Sequence, residues 1–302
     1  MKISLFSAFY PFRGGIAQFN ERLVEELDKQ HEVDVFTFKK QYPNWLFPGT
    51  SQYVQESNVR WEHRAKRIVS TFNPFSYFLG AKRISKSQPD VFIANYWMTI
   101  FAPFLAVFSR SLKGKSKRIL LIHNLQPHEP KFFDTWFNRL VLKRFDGVVV
   151  LSEKVKTEVL SIKKEAKIKM LYHPWYDHFS PTTPKSESRK KLQIPVDAKV
   201  LLFFGLIRDY KGLDVLLASF KKLDSSFHLI IAGEFYGGKA KYDLWLKDAD
   251  IVQRIHLADH FIPDSEVSNY FSASDLCVLP YKSATQSGVT ATSFHFGVPV
   301  LV

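Results

Sequence analysis

The stretch FFGLIRDYKGLDVLLASF, residues 203–220, sets Arg208 and Lys211 between an apolar run ending at Gly205 and a second apolar run, with helical spacing, after Gly212. A guanidinium and an ammonium at the mouth of a strand-turn-helix unit suit an anion, because a helix N-terminus adds unpaired N–H groups and a partial positive charge. A diphosphate fits that combination. An exposed basic loop that holds nothing fits the same letters, so the pair needs company.

Three other segments supply it. AFYPFRGGIAQF puts Gly14 and Gly15 between a strand and a helix, where the missing Cβ atoms let a ligand approach the backbone, although such a turn is more often structural. The spacing is neither G-x-G-x-x-G nor a P-loop, which leaves a nicotinamide enzyme or an ATPase without support. ILLIHNLQPHEP places His123 at a strand end, followed by Asn124, His128 and Glu129. A histidine there can hydrogen-bond a phosphate or sugar or exchange protons near neutral pH, or it can simply satisfy loop carbonyls. His128 and Glu129 lack the companions of a zinc site. In LPYKSATQSGVTATSFHFGVPV, the N–H groups of Gly288 and Val289 and the hydroxyls of Thr285 and Ser287 could cradle phosphate oxygens; an ordinary Ser/Thr helix cap is the alternative.

The elements that must carry these residues follow from hydrophobic pattern. Short apolar runs at 3–9, 33–38, 91–95, 118–123 and 147–151 read as strands, and segments such as 17–29 and 132–143 repeat apolar residues at helical spacing. Strand followed by helix, repeated, predicts parallel sheets covered on both faces. Three prolines in YHPWYDHFSPTTPK break the rhythm, and it resumes with strands at 200–204, 228–232, 254–257 and 276–280 and helices from Leu213, at 242–248 and at 264–272. The expected division is a first domain over 1–173, a linker at 174–185 and a second domain over 186–302.

At 302 residues and 46% hydrophobic the chain has room for two ordinary cores. Its formal net charge of +13 points to an anionic substrate or surface; the cations are spread along the chain without a nucleic-acid signature. The single cysteine, Cys277, lies in an apolar run and reads as a small core residue, so no disulfide framework exists. No window approaches about 18 uninterrupted apolar residues, and the N-terminus reads as a first strand rather than a signal peptide, which makes the cytosol the expected compartment. The end, FGVPVLV, reads as the middle of a buried strand, so a longer parent sequence is expected.

Taken in order, FFGLIRDYKGLDVLLASF, HLIIAGE, ADHFIPDSEVSNYFSASDLCVLPY and GVPVLV resemble the second domain of the family 4 glycosyltransferases, and RGGIAQFNERLVEEL with the strand ending in HN resembles their first. The resemblance implies the GT-B fold, two Rossmann-like α/β domains facing across a cleft. It implies transfer of a hexose-type sugar from a nucleoside diphosphate sugar, with retention and without metal or cofactor. By position, Arg208 and Lys211 would bind the diphosphate and, with His123 near the transferred sugar, form the catalytic set. Gly14 and Gly15 would approach the phosphate and acceptor side, and the backbone at Phe261 and Ile262 the nucleobase. Thr285, Gln286, Ser287, Gly288 and Val289 would complete the donor site.

One departure stands out: the two glutamates that most relatives carry in the last loop-helix segment are replaced here by Thr285 or Ala284 and by Ser293 or Thr292, with Gln286 and Ser287 as neutral substitutes. The expected acceptor is a cell-surface polysaccharide or lipid-linked glycan. A nucleotide-sugar epimerase of related fold and an inactive nucleotide-sugar-binding protein are the rival readings. Residues 96–118 and 75–86 each join an apolar, aromatic stretch to a basic tail, a pattern shared by a peripheral surface on an anionic membrane and by a buried crossover helix with a solvated basic end.

Overall fold

The computed structural model describes residues 1–42, 51–54, 61–126, 132–172, 179–282 and 287–302. Two compact units divide the chain, Met1–Tyr172 and His173–Val302. The first holds strands β1 (Lys2–Phe6), β2 (Glu32–Lys40), β3 (Ala65–Ser70), β4 (Val91–Tyr96), β5 (Lys117–Ile122), β6 (Gly147–Val150) and β7 (Ile168–Met170). Its helices are α1 (Gly15–Asp28), α2 (Pro74–Lys86), α3 (Ala102–Ser111), α4 (Asp134–Leu142) and α5 (Glu153–Ile162). The second holds β8 (Lys199–Phe204), β9 (Phe227–Ala232), β10 (Ile255–Ala258), β11 (Leu276–Val278) and β12 (Val300–Leu301). Helices α6 (Lys185–Lys191), α7 (Leu213–Phe220), α8 (Asp243–Leu246), α9 (Asp264–Ala273) and α10 (Gly288–His295) complete it.

Both sheets are parallel throughout, in the orders β3-β2-β1-β4-β5-β6-β7 and β10-β9-β8-β11-β12. Strands buried on both faces explain the uninterrupted apolar runs LLI and VVV. In each sheet the chain moves outward from its first strand and then returns to that strand's other side. The reversal falls between β1 and β4 in the first unit and between β8 and β11 in the second. A reversal of this kind leaves a crevice at the carboxyl ends of the two strands, where open α/β sheets bind ligands.

The helices cover both faces of each sheet. Residues of α2, α3, α4 and α5 share one apolar cluster with Phe6, Phe36 and Phe38. Val24 of α1 packs elsewhere, with Phe9 and Trp61. In the second unit α7 and α9 serve separate clusters. Cys277 is buried in one of them, and burial pushes its thiol up to about 12, which keeps it protonated and inert.

Several expectations are corrected. The helix expected at 242–248 shrinks to the single turn α8, and the strand expected at 276–280 stops at Val278. The membrane-surface reading of 96–118 fails: Phe104, Leu105 and Phe108 of α3 are sealed in the first unit's core, so this is the buried crossover helix. Residues 173–178, within and beside the expected linker, lie outside the described residues. No described helix is long and apolar enough to cross a membrane.

Candidate functional site

The second unit brings Gly205, Lys211 and Val289 to one point at the β8/β11 reversal. A Cβ on Gly205 would stand 3.2 Å from Nζ of Lys211 and 3.5 Å from Cγ2 of Val289. The turn after β8 needs its glycines. Gly205 has φ +90°; Gly212 has φ +72°, and a Cβ there would lie 1.9 Å from the Pro280 carbonyl oxygen. The turn therefore presses directly on the segment just past β11, and Lys282 N–H donates to the Tyr210 carbonyl at 2.7 Å. On the other side, Tyr236 N–H donates to the Ile207 carbonyl at 2.9 Å and ties the turn to the segment after β9.

The charges in these loops are sorted. Lys241 pairs with Asp209, Lys282 with Asp214 and Lys239 with Asp259. Arg208 and Lys211 make no ion pair among the described residues. Each instead lies over an aromatic ring, the Arg208 guanidinium 4.8 Å from the centre of Tyr236 and the Lys211 ammonium 5.7 Å from that of Tyr281. Arg208 is exposed; Lys211 is only 8% exposed. Burial, reinforced by the nearby guanidinium, pushes Lys211 down to about 8. A buried ammonium held without a carboxylate is costly to the fold and ready for an anion.

Helix α10 begins beside this pair. Ser287 occupies its N-cap position but makes no capping bond with its side chain; its hydroxyl meets the Tyr281 hydroxyl at 3.2 Å. Ser287 is thus not an ordinary side-chain cap, and the first turn at Gly288 and Val289 is left uncapped by it. Thr285 and Gln286 lie outside the described residues, as do His128 and Glu129. Phe261 and Ile262 follow β10, and the Ile262 side chain is turned into the core.

In the first unit Gly14 and Gly15 stand at the start of α1. Gly14 has φ +107°, a backbone reason for glycine, whereas a Cβ on Gly15 would meet nothing within 4 Å. His123 directly follows β5 and is 4% exposed. Asn95 Nδ2 donates to Asn20 Oδ1 at 2.8 Å, which turns Asn95 Oδ1 toward His123 Nε2, also at 2.8 Å. Nε2 must then carry the proton. Asn20 Nδ2 donates onward to the Ser7 hydroxyl at 2.7 Å, so three buried donors point the same way. The edge of the Phe19 ring meets the imidazole at 4.9 Å. This chain fixes the ring and its tautomer.

The sequence reading missed Tyr236 and Tyr281 beneath the cations and Asn20 and Asn95 behind His123. Only tertiary packing joins them, and a buried Asn at two strand-and-helix positions is the one signal the letters offer. A groove over the amino ends of β1–β3, lined among others by Lys2, Glu32, Asp34 and Lys66 and by Arg83 and Lys86 of α2, lies at the wrong end of the strands for this chemistry; Lys2–Glu32 and Lys66–Asp34 pair its carboxylates.

Comparison with known proteins gives these sites a context. A glycosyl transferase 4-like domain matches residues 14–171, and a glycosyl transferases group 1 domain matches residues 198–302. TuaC of Bacillus subtilis (strain 168), a glycosyltransferase assigned to teichuronic acid biosynthesis, is 24% identical over 338 residues, covering 100% of this chain and 80% of TuaC. A lipopolysaccharide 1,2-N-acetylglucosaminetransferase of Salmonella typhimurium (strain LT2) is 34% identical over 106 residues, 32% of this chain and 28% of its own. Among solved structures, Anabaena HepE in complex with UDP-glucose matches with a TM-score of 0.73 and 15% identity, covering 99% of this chain and 79% of HepE. With one domain model covering more than half of the chain and the other most of the remainder, the chain belongs to the family 4-like glycosyltransferases of the GT-B fold.

Proposed function

We propose that the second unit binds the diphosphate of a nucleoside diphosphate sugar at the β8/β11 reversal and that the protein transfers a hexose-type sugar, with retention, to a glycan of a polysaccharide or lipid-linked type. The observation that carries this reading is the pair Arg208 and Lys211, two cations without acid partners among the described residues, where the other loop lysines named above all have one. As the glycosidic bond breaks, negative charge grows on the leaving diphosphate. In this reading Arg208, Lys211 and the first-turn N–H groups of α10 would meet it without reorganising, which is where electrostatic catalysis acts. Charge neutralisation by these groups is the basis for proposing a reaction without metal.

To the first unit we assign the acceptor side, with Gly14, Gly15 and His123. The held tautomer lets His123 keep one orientation toward a sugar or phosphate oxygen. The named complex of HepE supports a UDP-sugar donor, and the names of TuaC and the lipopolysaccharide transferase support a glycan acceptor. Calorimetric titration with UDP, GDP and their sugars tests the donor half. Binding that is lost in the Arg208→Ala, Lys211→Ala double variant is expected; no binding, or binding indifferent to both changes, refutes the proposal.

A further inference from the structure

Helix α2 turns three small residues and Ile84 inward and leaves three large apolar ones outward. Ser76, Gly80, Ala81 and Ile84 face the core, and a Cβ on Gly80 would already stand 3.0 Å from the Phe108 ring. The opposite face carries Phe75, Phe78 and Leu79, which are 82%, 65% and 61% exposed, and then Lys82, Arg83 and Lys86. These six positions recur at the three- and four-residue spacing of one helical stripe. A solvated face does not need three large apolar groups in register, and the tight contact at Gly80 shows that inward packing is already complete.

We propose that this stripe docks on an anionic lipid bilayer. No carboxylate occurs anywhere in α2; Glu32 and Asp34, which share a groove with Arg83 and Lys86, are already paired with Lys2 and Lys66, and Asn73 and Pro74 start the helix so that its cations fall in the last turns. Laid in the plane of the interface, the first half of the stripe enters the acyl boundary while Lys82, Arg83 and Lys86 reach the headgroups. The formal charge of +13 adds attraction to such a surface. A second copy of the chain is a poorer occupant, because a parallel isologous contact would bring the two sets of cations together and a full antiparallel one would lay each set on the partner's apolar half. The same segment was read from sequence as membrane surface or buried crossover, and exposure separates it from α3.

Flotation of the full chain with phosphatidylcholine vesicles, with and without phosphatidylglycerol, tests this. Binding is expected only with phosphatidylglycerol, and the Phe75→Ser, Phe78→Ser, Leu79→Ser variant should lose about tenfold or more in partitioning. Lys82→Glu with Arg83→Glu should lose a comparable amount. Circular dichroism and UDP titration of the same variants report that the fold and the phosphate site are intact, so a failure here is separable from a failure of the donor reading. No flotation of the parent protein, or flotation unchanged by both variants, overturns the proposal. So does a parent that does not float yet is dimeric by light scattering and becomes monomeric in the apolar variant, since the stripe would then bind a second copy.

Discussion

Lys211 occupies its niche at a cost to folding, because burial and the Arg208 guanidinium both push its ammonium down, to about 8. A folded-state value below the ordinary lysine range means the unfolded chain binds the extra proton. Stability therefore rises with pH between about 8 and the unfolded value, and at neutral pH the charged form carries a penalty on the order of 3 kcal/mol. Lys211→Met keeps the length of the side chain and removes the charge. It should raise the thermal midpoint while weakening UDP binding by about 2 kcal/mol, roughly thirtyfold. Opposite signs in those two measurements mark a residue kept for a ligand; a loss in both would make it structural. Anion binding restores the proton, so UDP affinity should fall as pH rises through about 8, with proton uptake visible as a buffer dependence of the calorimetric heat. Arg208 and Lys211 were legible as residues because their types and their place beside glycines carry the chemistry. The aromatic rings under them were not, since Tyr236 and Tyr281 come from different loops and no local pattern marks a ring beneath a cation.

The turn between β8 and α7 acts as a wedge whose tip is Gly212. Alanine there would strain a left-handed backbone and strike the Pro280 carbonyl at 1.9 Å, so Gly212→Ala should destabilise by about 3 kcal/mol or more and displace Lys211 as well. Urea unfolding and UDP titration on the same sample check both parts. On the far side of the sheet His228 of β9 and His256 of β10 share one hydrogen bond of 2.9 Å between ring nitrogens. Burial lowers both, aided by the Arg254 and Arg189 charges at His228 and by His228 itself at His256. Histidines held below their ordinary value give stability that is present above that value and lost as pH falls through the lowered one. The thermal midpoint should decline on acidification below about 6.5, and His256→Gln should flatten the decline. Strands such as β1, β4, β5 and β9 were readable within a few residues because burial on both faces writes them as apolar runs. β3 was not: AKRIVS, paired on one side only, has two exposed cations among its first three residues that hide the alternation. α6 was hidden for a similar reason. Its sequence, KSESRKK, is entirely polar, and it is anchored by buried Arg189, which donates to Asp275 at 2.8 Å and to the Ala273 carbonyl at 3.0 Å. α2 and α3 carry the same apolar-then-basic lettering, and only packing tells which one faces out.

At the scale of the whole molecule, 42 Lys and Arg against 29 Asp and Glu set a positive field that any diphosphate meets before it meets a site. That field and the exposed Arg208 are screened by salt, with a Debye length of about 10 Å at 0.1 M and about 3 Å at 1 M. The buried Lys211 is shielded by protein rather than by ions. Long-range attraction and local capture can therefore be separated by ionic strength. UDP affinity should drop severalfold between about 0.05 and 0.5 M salt in the parent protein, in keeping with the screening of exposed charge. The penalty for Arg208→Ala should shrink over the same range, because the interaction removed is one that salt was already weakening. The penalty for Lys211→Ala should stay nearly constant. Calorimetric titrations of the three proteins at the two salt concentrations give the comparison directly. Parallel behaviour of the two variants would place Lys211 in the same solvated environment as Arg208 and contradict a sealed ammonium at the β8/β11 reversal.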